Sequence, residues 1–348
     1  MQADIEGAVR IANLAAGFDW TWTTDDIPRF CEAAGWSCVE SAGDRGAEIQ
    51  TDFDVEKPSA LAVYNRSFLE RNRRPDQQVT QLVLRVSDRV DGTLPENLRS
   101  LTDLFAELAD RIATELGAPE VPSPGLEPEV RWSLPWSSIS RWRNFGASVS
   151  PATAILFLAM TSQAVELRIV NPTYQRWWDD YMSRDDDDED SGYDDDGEDL
   201  DDLPEKPRTW QEYSAALALT LTRLPLGGIL VLRVGGRDVA RIEPTWFGLT
   251  CQMLAQSVPR VQRDSGADQI FMIRNGWSVA EEGSTPEGWV RSLRWPALYR
   301  EFDSMADAVV TALRSIYGVA DPVSLVVDAW SDSSEQYPDI TAFGIHSQ

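Results

Sequence analysis

A chain of 348 residues exceeds what one hydrophobic core ordinarily supports, so two or three domains are expected. Hydrophobic residues at 43% and fourteen tryptophans suffice for compact cores. The net charge of −26 repels phosphate backbones and anionic bilayers, which excludes nucleic-acid and membrane partners by expectation and makes a basic protein the electrostatic complement.

Ile5, Val9, Ala12 and Ala16 recur at helical spacing behind Asp4, a good N-cap, with Gly17 as the stop, and predict a short amphipathic helix. A second helix is predicted from Thr24, with Asp25 and Asp26 at its positive end, Ile27, Phe30, Cys31 and Ala34 as its buried stripe, and Gly35 closing it. Strands follow at Ser37–Glu40, Ala47–Thr51, Leu61–Tyr64 and Val79–Val86. Thr93 and Glu96 read as a capping box opening a long helix. Its stripe of Leu98, Leu101, Phe105, Leu108, Ile112 and Leu116 serves either as a partner seam or, more simply, as the cover of the neighbouring strands. Val130, Trp132 and Leu134 alternate with polar residues, Ile155–Met160 is a continuous apolar run suited to a central strand, and Val165, Leu167 and Ile169 alternate again. Asn171-Pro172 then opens a short helix carrying Tyr174, Trp177, Trp178 and Tyr181. Adjacent tryptophans cannot both face one core from a helix, so this helix either points to a contact surface or packs one Trp on the core edge and the other on the linker.

Between Asp185 and Asp202 the chain carries thirteen carboxylates and no basic residue: Asp185, Asp186, Asp187, Asp188, Glu189, Asp190, Asp194, Asp195, Asp196, Glu198, Asp199, Asp201 and Asp202. So charged a run cannot bury enough surface to offset the entropy of ordering it, and a disordered acidic linker over 184–206 is expected. It reads as a solubilising spacer or as an element that engages a basic partner.

Beyond it, Thr209 and Glu212 form a second capping box, opening a helix that bears Trp210, Tyr213, Leu217, Leu221 and Leu224. Gly227-Gly228 turns into a strand over Ile229–Val234, Gly235-Gly236 signals a two-residue hairpin into Arg237–Ile242, and a third strand runs near Phe247–Met253. A helix over Asp268–Arg274, a strand over Trp289–Trp295, a helix with Ser304 as its N-cap and Gly318 as its stop, and a strand through Val323, Leu325 and Val327 complete this half. The predicted class is α+β, in two domains at 1–183 and 207–330, each a twisted, mainly antiparallel sheet covered by helices, with a flexible tail at 331–348.

The stretch TWQEYSAALALTLTRLPLGGILVLRVGGRDVARIEP, with the later NGW, the Trp289–Trp295 strand and ADAVVTALRSIYGVADPVSLVV, resembles the TY-Chap domains of actinobacteria, relatives of type III secretion chaperones and YbjN-like proteins. This chain departs from that pattern after the hairpin, where DVARIEP replaces an aromatic strand. The first half, through RIANLAAGFDWTWTTDDIPRFCEAAGW, PEVRW and ELRIVNPTYQRWWDDY, is similar to an uncharacterised actinobacterial family. The resemblance implies a helix-covered antiparallel sheet and a chaperone- or adaptor-like role in secretion or conflict systems.

Catalytic chemistry finds little to work with. The only histidine is His346, near the end of the sequence, so a hydrolase triad lacks its base and zinc its ligands. The paired glycines lack the spacing of a phosphate loop, and the acidic tract lacks the register of a calcium loop. Asp179 and Asp180 would be carboxylates for an enzyme, on no evidence beyond their presence. Cys31, Cys38 and Cys251 make an odd count without a CxxC pair, from which thiols in a reducing cytoplasm are expected, Cys31 and Cys251 as buried small hydrophobes. The N-terminus shows no basic region leading into an apolar one, and the expectation is a cytoplasmic protein. We therefore expect a non-enzymatic adaptor without cofactor or metal that holds a protein client, with Trp20, Trp22, Tyr174, Trp177, Trp178, Trp246 and Trp289 as candidate anchors. The rival is an immunity protein that neutralises a basic toxin through its acidic surface.

Overall fold

The computed structural model describes residues 1–38, 46–64, 68, 79–134, 153–182, 204–246, 248–254, 266–280, 288–332 and 337–345. Backbone contacts divide the chain into two units, Met1–Val121 with Glu129–Asp194 and Pro122–Pro128 with Asp195–Gln348. Among the described residues it is an α+β protein with seven α-helices and two antiparallel sheets. None of these helices is long and apolar enough to cross a membrane.

The first unit opens with α1 (Ile5–Gly17), capped as its sequence demands, since the Gly7 N–H donates to the Asp4 carboxylate at 2.7 Å. Helix α2 (Asp26–Ala34) closes on Gly35, whose φ of 77° suits a residue without a Cβ. The strands are β1 (Ser37–Cys38), β2 (Gly46–Gln50), β3 (Ser59–Val63), β4 (Gln81–Arg85), β5 (Val121–Ser123), β6 (Glu129–Leu134), β7 (Ala154–Met160) and β8 (Val165–Val170), with α3 (Pro95–Leu116) between β4 and β5. They form one sheet in the order β1-β2-β3-β4-β8-β7-β6-β5. The apolar run read as a central strand is β7, buried along its whole length. Helices α1 and α3 pack together over β7 and β8, and all six residues of the α3 stripe are buried. The stripe is thus the cover of its own sheet, each side chain contributing about 1.5–3 kcal/mol of burial.

The capping box predicted at Thr93 is absent. Pro95 occupies the first helical position, so Leu94 is the cap residue and the Thr93 hydroxyl donates instead to Asp91 at 2.6 Å. Helix α4 (Pro172–Met182) begins where Asn171-Pro172 placed it, with the Thr173 N–H donating to the Asn171 side chain at 2.8 Å.

In the second unit, α5 (Trp210–Thr222) carries the predicted capping box in full: Glu212 N–H donates to Thr209 Oγ1, and Thr209 N–H to Glu212 Oε2. Strands β9 (Gly228–Val234), β10 (Arg237–Thr245) and β11 (Gly248–Leu254) form a meander. Gly235 and Gly236 both have positive φ, 56° and 76°, as a two-residue turn matched to the strand twist requires. Next come α6 (Gly266–Arg274), β12 (Ser278–Val279), β13 (Gly288–Arg294), α7 (Tyr299–Ser315) and β14 (Leu325–Ser331), giving the sheet order β12-β13-β11-β10-β9-β14. Leu230 and Leu232, Ala240 and Ile242, Cys251 and Met253, and Leu325 and Val327 form the sheet's side of a core shared with α5 and α7.

Two expectations fail here. Ser304 lies inside α7, whose first residue is Tyr299; the Leu298 N–H donates to Glu301 at 2.9 Å, and the buried Tyr299 and Phe302 extend the apolar stripe a turn upstream of Ser304. The tail, expected to be flexible from 331, supplies Ile340 and Phe343 to the core, the latter with its ring centroid 5.2 Å from that of Tyr213. Two isolated apolar residues among polar ones carry no periodicity, so they escape a pattern reading.

Candidate functional site

Trp20 and Trp22 leave the set of exposed anchors. They are 6% and 3% exposed, stacked at 4.8 Å, and their indole N–H groups donate to the carbonyls of Ala15 and Thr153. Trp22 has φ 63°, a left-handed conformation costly for a bulky residue. It is held there by the fully buried carboxylate of Asp26, which accepts from the backbone of Thr21 and Trp22 at 2.8 and 2.6 Å and pairs with Arg29 at 2.7 Å. DWTW is therefore a structural corner whose aromatic rings fill the space between α1 and α2.

Cysteine usage also departs from expectation. Cys251 is a free buried thiol at the centre of β11, and burial raises its pKa, which keeps it protonated and unreactive. Cys31, by contrast, is disulfide-bonded.

Trp246 stands 58% exposed at the β10–β11 turn, and Trp289 on β13 is half-buried against the core. The tract over 185–202 and His346 lie outside the described residues. The remaining candidates gather on one element. Along α4, Tyr174, Trp177, Trp178 and Tyr181 form a continuous ladder of rings with centroids 5.6–6.4 Å apart, Trp177 and Tyr181 being stacked. Tyr174 and Trp177 cover the buried Phe68 edge-on. Trp178 and Tyr181 remain 39% and 41% exposed.

This ladder roofs a cavity of about 340 Å³ on the face of the first sheet opposite α1 and α3. Tyr174, Gln175 and Trp178 form its wall, and Gln81, Glu129, Phe157, Arg168 and Val170, drawn from β4, β6, β7 and β8, form its floor. The period-2 geometry of strands explains the mixture: Leu167 and Ile169 face the helices, while Glu166, Arg168 and Val170 face the cavity side. Arg168 gives two N–H groups to one oxygen of Glu166, at 3.2 and 3.0 Å. Arg131 lies 6.0 Å from the Phe157 ring centroid and 3.8 Å from Asp179, tying α4 to the sheet. Sequence reading found the roof but not the floor, because single charged residues on half-buried strands look like ordinary solvent-facing alternation.

In the second unit the sheet face opposite the helices is polar along its middle. Arg233 pairs with Asp238 and Asp328, and Arg241 with Glu243 at 3.0 Å. At its margin β14 is an edge strand with Val326 and Trp330 exposed; the Lys206 ammonium lies 3.4 Å from the carbonyl oxygens of Val323 and Leu325, a cation of the kind that guards open edges. A second cavity, of about 470 Å³, is lined by Thr311, Arg314, Ser315, Val319 and Ala320 where α7 ends. Among the described residues no group of three or more His, Cys, Asp or Glu side chains could hold a metal ion.

Comparison with known families divides the chain in the same way. Residues 204–331 match the model TY-Chap3, the T3SS (YopN, CesT) and YbjN peptide-binding chaperone 3. Residues 6–150 match a family of unknown function, DUF6301. No curated protein and no solved structure gives a significant match. Helix α4 falls between the two matched segments.

Proposed function

We propose that this chain works by binding and neither makes nor breaks a covalent bond: it is a chaperone-like adaptor whose second unit takes an extended peptide segment of a protein client. The observation that carries the reading is the match of residues 204–331 to a peptide-binding chaperone family. The sheet of that unit supports it, with helices on one side only among the described residues and an edge strand presenting Val326 and Trp330. Such a surface offers backbone groups and apolar side chains to an extended chain while burying no catalytic group. The sequence resemblance adds the setting, a secretion or conflict system of an actinobacterium.

The test uses the full chain with a tiled library of client-derived peptides. Saturable binding with cross-links confined to 204–331 is expected, and cross-links confined to 6–150, or none, would defeat the reading.

One observation favours a second reading, an immunity protein for a basic toxin: the net charge of −26, half of it within 185–202. Charge-steered binding has an on-rate that collapses with salt, whereas apolar docking persists. Deleting 185–202 removes most of the affinity if charge carries the complex and little if the peptide surface does.

A further inference from the structure

Strand β14 pairs with β9 from Leu325 to Ser331, and among the described residues no strand lies on its other side. Alternate residues of a strand aim their N–H and C=O groups to opposite sides. The Asp332 N–H donates to the Gly227 carbonyl at 3.0 Å, which puts the even-numbered Val326, Asp328 and Trp330 in the hydrogen-bonded rungs with β9. The odd-numbered residues therefore turn their backbone groups outward. Lys206 agrees with this parity, since its ammonium lies 3.4 Å from the carbonyl oxygens of Val323 and Leu325. The Leu325 N–H is taken by the Pro322 carbonyl. Val327 and Ala329 are left, each with an outward N–H and C=O that meet no protein partner. Such groups are satisfied by water or by an added strand.

Side chains follow the same alternation. Leu325 and Val327 enter the core, while Val326, Asp328 and Trp330 stand on the open face, Val326 52% and Trp330 36% exposed. A strand laid along this edge sets every second residue beside one of these three. Apolar side chains suit the places beside Val326 and Trp330, and an acidic one is repelled beside Asp328, whose carboxylate is already held by Arg233. Lys206 supplies the direction. It stands at the Leu325 end of the open rungs and is paired with no carboxylate among the described residues, its neighbour Glu205 being held by Arg208 at 3.0 Å. A strand antiparallel to β14 ends at that ammonium on its carboxylate, an attraction; a parallel strand begins there on its amino group, a repulsion.

Resting on the reading of this unit as a peptide binder, we propose that β14 receives the C-terminal strand of a protein client, antiparallel, with its terminal carboxylate at Lys206. The last client residue stands opposite Leu325. Apolar residues one and five places before it pack on Val326 and Trp330, and the residues two and four places before it exchange hydrogen bonds with Val327 and Ala329. Lys206 is then a group that selects a chain end, and not a guard against strand addition.

The experiment is a fluorescence-anisotropy titration of the full chain with the hexapeptide Leu-Thr-Gln-Thr-Leu-Thr, labelled through an N-terminal Gly-Ser linker. The free acid should saturate below about 1 mM, and the C-terminal amide should bind at least about threefold more weakly. An N-methyl group two places before the last residue removes an N–H aimed at Val327 and should weaken binding by about tenfold or more; one placed three before, where the N–H points away from β14, should not. Lys206→Gln should erase the difference between acid and amide, and Trp330→Ala should weaken both. Three outcomes overturn the proposal: equal affinity of acid and amide, tighter binding by Lys206→Gln, or indifference to the place of the methyl group. Absence of saturation does so too. If library peptides still cross-link within 204–331 in any of these cases, the edge and its direction are wrong while peptide binding by the second unit stands.

Discussion

Arg223 and Asp339, 116 residues apart, meet at 3.0 Å and tie the tail to the end of α5. Burial alone would raise the Asp339 carboxyl, but hydrogen bonds from the Thr341 hydroxyl and N–H, at 2.6 and 3.0 Å, and the Arg223 guanidinium outweigh it and hold the pKa below its usual value. A carboxylate depressed in the folded state contributes its full stability above its unfolded pKa, near 4, and loses it as pH falls through the lower folded value. Asp339→Asn should therefore cost roughly 1–3 kcal/mol at pH 7. The difference between variant and parent should shrink steadily as the pH is lowered below about 4. Urea titrations at pH 7 and pH 3 read this, with hydrogen exchange at Phe343 as the local probe; an equal difference at both values would show that the ion pair contributes nothing.

The two groups of tryptophans should behave in opposite ways. Trp20→Ala or Trp22→Ala empties a buried, stacked site and should cost about 3–5 kcal/mol. Trp246→Ala removes a side chain that is largely in water and should change stability by no more than about 0.5 kcal/mol. Thermal unfolding followed by a probe in each unit is the right measurement, since two units need not unfold as one transition. A Trp20→Ala protein as stable as its parent would return that residue to the surface.

Much of this fold was legible because its signals are periodic. The α3 stripe, the apolar run of β7, the Gly235-Gly236 turn and the Thr209–Glu212 box each rest on a local rule, and each stands where the rule put it. Two failures at helix starts share one cause, a local signal overruled by a neighbour. Pro95 displaced the cap from Thr93, and the aromatic residues Tyr299 and Phe302 extended α7 past Ser304. Trp20 and Trp22 stood among the candidate anchors because nothing in their spacing reveals that Asp26 folds them inward. For the candidate site, α4 was visible as an aromatic helix, but its partners Glu129, Phe157 and Arg168 come from three strands that only the register brings together.

That contrast between caps can be measured. Thr209→Ala removes an acceptor from the Glu212 N–H and should destabilise the second unit by about 0.5–2 kcal/mol. Thr93→Ala removes a threonine from the same sequence pattern, yet its hydroxyl serves Asp91 and no N–H of α3. It should cost only about half a kcal/mol, as the loss of one exposed hydrogen bond does. Denaturant midpoints compared under identical conditions test the pair, and equal losses would mean that the motif and not the geometry predicts the energy.

Gly248 opens β11 opposite Arg294 of β13, and a Cβ built there would lie 1.9 Å from the Leu293 carbonyl oxygen. That atom is backbone inside a paired ladder, so it cannot swing aside as the end of a flexible side chain would. Gly248→Ala should therefore pry β11 from β13 and cost about 2–4 kcal/mol, at the upper end of single substitutions. Gly17 gives the opposite case. It is the last residue of α1, with nothing within 4 Å of an added Cβ, and Gly17→Ala should stabilise by about 0.4–1 kcal/mol through helix propensity and a less free unfolded chain. A sheet that tolerates alanine at 248 would show that β11 and β13 are not paired in this register, and the arrangement of Trp289 against the second core would have to be redrawn.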